Sequence, residues 1–308
     1  MLPAAAGLVL ALGLLVLAPR HLARAAWPAR APSYALVLWQ ALGLVGGLLA
    51  VEIAVTVALS ADGDTHGAAA RALLAGSAGV PPWWALAAYV VALAVLVRLL
   101  SMLAVSTAGT LRARHRQRVL VDLVATRNPL LPGARVVDHA LPLAYCLPGL
   151  RPRVVLSRGV LDLLREQEVR AVLAHESAHV EQRHDLVVLP FVALGATFPR
   201  LSAVRTAQAE VALLVEMLAD DRAARAHPPA VLARALCKVG AARVPSGGLG
   251  VGGDGGDGDG VGSAGVLLRA SRLVFPGPPL PLVAKAAVAL AVALVLAVPV
   301  AGVLAPTL

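Results

Sequence analysis

Ala171–Asp185 reads AVLAHESAHVEQRHD and places His175, Glu176 and His179 in an H-E-x-x-H array. Residues four apart on a helix share a face. Two imidazoles at that spacing can bind one metal ion, and a carboxylate beside them can take a proton from water that the metal activates. Zinc suits such ligands and lowers the pKa of a water it binds to about 7. The pair is incomplete, because catalytic zinc sites use three protein ligands and leave a fourth position open. A second stretch, EMLAD, holds Glu216 and Asp220, again four apart. Glu216 is the expected third ligand. Asp220 is the expected acceptor for the far nitrogen of a ligand histidine, with His175 as the favoured partner. H-E-x-x-H patterns also arise by chance, and histidines on a solvated helix are ordinary. Here Ala171, Val172, Leu173 and Ala174 surround the polar residues, which a solvated face does not explain.

The rest of the chain has the composition of a membrane protein. It has 308 residues, 58% of them hydrophobic and only 3% aromatic, with a mean hydropathy of +0.78. The formal charge is +9, and Lys238 and Lys285 are the only lysines. The arginines lie beside apolar runs, which points to membrane anchoring and not to direct nucleic-acid binding. Cys146 and Cys237 form no C-x-x-C pair and are expected to be small buried residues.

Spanning a bilayer takes about 20 apolar residues. Four stretches approach this: 2–19, 34–60, 83–106 and 280–304. Arg20, Arg24 and Arg30 follow the first stretch; a signal peptide carries its charge before the apolar run, so a retained span is expected. The arginine bias predicts a cytoplasmic first connection, an outer 60–82 loop around Asp62 and Asp64, and a cytoplasmic segment from Arg112 to about Pro279. Both termini then lie outside a multi-pass plasma-membrane protein. Two charges fall inside spans: Glu52, and Arg98, which is placed to snorkel.

ARVVDH, LAYCL and PRVVLS within 134–157 read as short strands separated by Pro and Gly turns. From Ser157 the pattern turns helical, strongest over Glu166–Arg183. A second long helix spans 204–227, stopped by Pro228 and Pro229, and a weaker one spans 230–239. Leu186–Pro199 is too short for a comfortable span and contains Pro190. A crossing there would part Glu216 from the histidines, so a buried or membrane-apposed helix is expected. Residues 245–265 are Gly/Asp-rich and read as a flexible linker; Asp254, Asp257 and Asp259 lack calcium-loop spacing. The predicted organisation is three spans in 1–107, a metallopeptidase domain in 108–244, the linker, a juxtamembrane segment in 266–279 and a fourth span in 280–308. The predicted fold class is a mainly α membrane protein with four transmembrane helices and a cytoplasmic α+β zincin-like domain. Near the array, Asp185 is expected to brace the helix end and His184 not to be a ligand. Arg222, Arg225 and His227 are candidate oxyanion stabilisers.

With its spans, RPRVVLSRGVLDLL, EVRAVLAHESAHVEQRHD and EMLADDRAA, the chain resembles the BlaR/MecR family of antirepressor metallopeptidases. The likeness covers nearly the whole chain and is strongest over 142–224. It implies a gluzincin fold, one zinc ion per chain held by His175, His179 and Glu216, Glu176 as catalytic base, and a cytoplasmic protein substrate such as a BlaI/MecI-like repressor. The bilayer is a further partner, and a homodimer is an open alternative. Little follows the fourth span and no S-x-x-K context occurs there, so a penicillin-binding sensor domain is not expected. Two rival readings share the residues. One is an HtpX-type quality-control protease, disfavoured because those proteins carry full spans between the two motifs. The other is a signalling scaffold with a structural metal, disfavoured because such a site needs no Glu176.

Overall fold

The computed structural model describes residues 13, 17–59, 80–127, 134–147, 153–243 and 258–304. The expected first span, the outer loop and most of the linker lie outside these residues, although 17–24 are helical. Among the described residues the chain is mostly helical, with one small four-stranded sheet. In order come α1 (Pro32–Leu59), α2 (Trp83–Val124), β1 (Thr126–Arg127), β2 (Ala134–Val137), β3 (Ala144–Leu147) and β4 (Arg153–Ser157). They are followed by α3 (Arg158–Leu163), α4 (Glu166–Glu181), α5 (His184–Thr197), α6 (Ser202–Ala223), α7 (Pro229–Arg243), α8 (Gly258–Val274) and α9 (Leu282–Leu304).

Two compact units are present. The first comprises residues 1–107, 188–211 and 280–308. Among the described residues, three helices in the chain are long and apolar enough to cross a membrane: α1, α2 and α9. Helices α1 and α9 pack on each other. The Lys285 ammonium lies 5.9 Å from the Tyr34 ring centroid, pairing the N-terminal ends of the two helices. The apolar windows of α2 and α9 are only 6% buried within the chain, a surface that lipid rather than protein would cover. The helix that carries the third expected span, 83–106, continues beyond it: α2 runs for 42 residues, about 63 Å at the helical rise, because its arginine-rich second half contains no proline and keeps good helix formers.

Leu186–Pro199 falls almost entirely in α5, whose interior holds Pro190. Phe191 of α5 is buried and lies 3.2 Å from where a Cβ on Gly43 of α1 would stand. Arg98 was expected to snorkel. It instead donates from Nε and Nη2 to the Thr197 carbonyl, each at 3.3 Å, and from Nη2 to Ala196 at 3.5 Å. A guanidinium thus satisfies carbonyls at the C-terminal end of α5 that have no helical partner.

The second unit comprises 108–187 and 212–279. Its sheet has the order β1-β2-β4-β3, with β2 and β4 parallel and the outer pairs antiparallel. The short edge strand β1 carried no apolar alternation from which it could be read. The expected single helix from Ser157 is broken into α3 and α4, because Leu164 and Arg165 are extended. Side chains supply the stops. Ser157 Oγ accepts from Val160 N–H at 3.2 Å and starts α3. Glu168 Oε2 accepts from Arg165 N–H at 2.8 Å and from Lys238 Nζ at 2.6 Å. Two apolar cores hold α4 on opposite sides. Leu156, Val160, Val169, Val172 and Ala235 form one; Ala171, Ala223, Leu232, Ala270 and Leu273 form the other.

Burial alone would raise the Glu168 carboxyl, but Lys238 and the Arg165 N–H outweigh it and hold the group below its ordinary value of 4.5. A depressed carboxyl stabilises the fold above its ordinary pKa, and that stability is lost as pH falls through the lowered value. Glu168→Ala is therefore expected to cost about 1–3 kcal/mol at pH 7. The difference from wild type should shrink as the medium is acidified below 4.5, which denaturant melts at pH 7 and pH 3 would measure.

The stretch read as a linker is shorter than expected, since α8 begins at Gly258 and runs to Val274. The apolar residues Val266, Ala270 and Leu273 recur at helical spacing and dock this helix on α7 and its neighbours. The cysteines are not both buried: Cys146 is half-buried and Cys237 exposed. On α7 the inward positions are Val231, Leu232 and Ala235, and two residues onward the helix has turned about 200° outward.

Candidate metal centre

Every residue of this centre lies in the second unit. Helix α4 presents Nε2 of His175 and Nε2 of His179, 3.2 Å apart. Helix α6 brings Glu216 to them, with Oε2 3.4 Å from His175 Nε2 and Oε1 3.5 Å from His179 Nε2. Metal–ligand bonds near 2.05 Å in a tetrahedral zinc site separate adjacent ligands by about 3.3 Å. The nearest approaches between these groups are of that order, through a different Glu216 oxygen to each histidine, and one ligand atom from each of the three residues lies within 4.8 Å of the others, close enough to share one divalent ion. Two imidazoles and a carboxylate also match zinc's usual ligand chemistry.

Asp220, one turn beyond Glu216, is fully buried. Its Oδ1 is 3.0 Å from Nδ1 of His175. That is ion-pair distance without the alignment of a good hydrogen bond, and this Nδ1 has no other acceptor. Glu176 is half-buried and lies near enough to Cys146 on β3 to raise its thiol. Burial first and Glu176 second push that thiol to about 12, so it stays protonated. Helix α4 packs against β3, the sheet edge next to the centre.

The cation of the centre was not among the sequence candidates. Arg269 of α8 is 7% exposed. It donates from Nε to Asp220 Oδ2 and from Nη2 to Oδ1, both at 2.7 Å, and its Nη1 is 2.7 Å from Glu216 Oε2. Its signal was present: Arg269 interrupts the stripe Val266, Ala270, Leu273 on the buried face of α8. Arg222 instead pairs with Glu181 at the surface, at 2.9 Å, and Arg225 is exposed. His184 is 4% exposed and touches His179, not the metal-facing nitrogens. Asp185 pairs with Arg114 of α2 at 2.6 Å.

These contacts set the charges. Burial pulls His175 down, but Asp220 and Glu216 prevail and raise it to about 9. Burial dominates at His179 and lowers it to about 4. Burial would raise Glu216, yet His175 and Arg269 bring it down to about 2. These shifts favour an ionised Glu216 and a protonated His175, and a metal ion bound at His175 Nε2 would displace that proton.

Residues 110–235 match the model of Peptidase family M48. This M48-like region holds both histidines and both carboxylates of the centre but ends before Arg269. The chain is also similar to curated proteins named Protease HtpX homolog. The one from Methanothermobacter thermautotrophicus is 36% identical over 80 residues, 25% of this chain and 31% of that protein. The one from Aeropyrum pernix is 42% identical over 72 residues, 22% and 23% of the two chains. The one from Ralstonia pickettii is 34% identical over 73 residues, 23% and 25%. The chain thus spans about a quarter to a third of the length of these relatives. No solved structure matches. These likenesses are to Peptidase family M48 and to HtpX homologues, and not to the narrower BlaR/MecR branch.

Proposed function

We propose that the protein is a membrane-anchored zinc endopeptidase, with His175, His179 and Glu216 holding one zinc ion per chain and Glu176 as general base. The observation that carries this reading is the convergence of these three residues, whose nearest nitrogens and oxygens lie 3.2 to 3.5 Å apart, beside a carboxylate. When bound, zinc would supply Lewis acidity toward a peptide carbonyl and make water acidic enough to deprotonate at neutral pH. Glu176 accepts the proton of the attacking water and returns it to the leaving amine. Asp220 orients His175 through Nδ1, leaving Nε2 for the metal. The edge strand β3 accepts the substrate backbone as an added strand.

The proteolytic centre is assigned to the cytoplasmic face of the plasma membrane, from the arginine-rich second half of α2. Similarity to proteins named Protease HtpX homolog favours the HtpX-type reading, with a broad choice of unfolded membrane proteins as the proposed substrates. A single regulatory substrate, a BlaI/MecI-like repressor, is the second reading. It is favoured by the 14-residue length of α5 between the two motifs, where the first reading expects full spans.

The test uses the full chain in detergent micelles. A chelator such as phenanthroline is expected to abolish cleavage of an unfolded protein, and stoichiometric zinc to restore it. Cleavage indifferent to metal removal would refute the reading. Comparing membrane proteomes with and without the protein separates many accumulating substrates from one.

A further inference from the structure

His184 is buried beneath the second imidazole of the centre, and no step above uses it. Its Nε2 lies 2.8 Å from Gln182 Oε1, and its Nδ1 lies 3.0 Å from Nδ1 of His179. The His179 and His184 rings meet edge to face, with centroids 4.9 Å apart at 82°. An amide oxygen only accepts, so His184 Nε2 carries the hydrogen. The neutral ring then offers a bare lone pair at Nδ1, which takes a hydrogen from His179 Nδ1. That leaves His179 Nε2 without a proton, 3.2 Å from His175 Nε2 and 3.5 Å from Glu216 Oε1.

We propose that His184 is a positioning residue that fixes His179 as its Nδ1–H tautomer, so that Nε2 is free for the metal. This rests on the zinc-centre reading given above. Asp220 serves His175 from α6; His184 serves His179 from the first residue of α5, as a neutral acceptor where a carboxylate is more usual.

The backbone is bent to deliver it. Arg183, between α4 and α5, has φ 49°, the left-handed region that costs a residue with a Cβ about 1–2 kcal/mol. The turn brings His184 back under the residue one helical turn earlier. The neighbouring Asp185 is tied to Arg114, which holds the first turn of α5 in place.

Two variants of the full chain in micelles test this, with zinc affinity read by competition against a chromophoric chelator. His184→Phe keeps an aromatic ring but has no acceptor, and is expected to weaken zinc binding roughly 10- to 100-fold. His184→Asn places a carbonyl oxygen where Nδ1 stood, and is expected to restore most of the affinity. Wild-type affinity in His184→Phe overturns the proposal, as does equal loss in both variants. Nitrogen-15 NMR of labelled histidine in the metal-free protein is independent of zinc: it should show His179 protonated at Nδ1, and protonation at Nε2 instead overturns the proposal. A wild-type chain that shows the Nδ1–H signal yet binds no zinc defeats the metal-centre reading and leaves the tautomer assignment standing. Should His184→Phe fail to fold, Gln182→Leu at an exposed position removes the outer link. It should weaken zinc binding by less than about tenfold, and unchanged affinity there also counts against the proposal.

Discussion

Glu176→Gln is expected to lower peptide cleavage by about 10²–10⁴-fold while leaving the zinc content unchanged. The amide keeps the size and polarity of the side chain but cannot accept a proton at neutral pH. Glu176 is not one of the three converging donors, so the metal should stay. Cleavage at the wild-type rate would remove the proton-transfer role and with it the proposed hydrolase. Loss of zinc together with activity would instead show Glu176 to be part of the ligand set. Single-turnover cleavage and metal analysis on one preparation distinguish these results.

Arg269→Ala is expected to produce the largest loss of stability, about 3–5 kcal/mol in the metal-free protein. Asp220 is fully buried, and Arg269 grips both its oxygens at 2.7 Å. Without the guanidinium, Asp220 and Glu216 face each other one helical turn apart with only His175 between them. Arg269→Lys should recover little, because an ammonium cannot make the two-pronged contact. Zinc adds positive charge beside Glu216 and binds only the folded state, so it should narrow the gap between variant and wild type. Thermal melts with and without zinc measure both effects. An unchanged melting temperature in metal-free Arg269→Ala would show that the network does not hold the centre together.

Legibility in the sequence followed the range of the interactions. His175, Glu176 and His179 lie on one helix, and Glu216 and Asp220 on another, so spacing alone placed His175 with His179 on one face and Glu216 with Asp220 on another, with Glu176 adjacent to the first pair. That the two faces meet was an inference, and the distances of 3.0 to 3.5 Å across them appear only in the structure. Arg269 is 49 residues from Asp220 and follows a glycine-rich stretch that suggested no fixed position. Its helix docks through Ala270 and Leu273, whose helical spacing is legible but whose partners, Ala171, Ala223 and Leu232, are far away in the chain. His184 was legible as a neighbour of the array, but its role depends on the left-handed turn at Arg183. The break between α3 and α4 was hidden because neither Gly nor Pro marks it; the Glu168 carboxylate makes it, with Lys238, 70 residues away, as its second partner.

By itself the sequence determined the apolar helices, the strand-rich stretch before Ser157, and the two carboxylate- and imidazole-bearing turns. These depend on hydrophobic periodicity and on side chains within one or two helical turns. Tertiary structure alone decided which cation pairs with Asp220 and Glu216, which imidazole braces which, and which strands lie at the edges of the sheet among the described residues. Those depend on the packing of segments far apart in the chain, where burial turns modest polar contacts into obligatory ones.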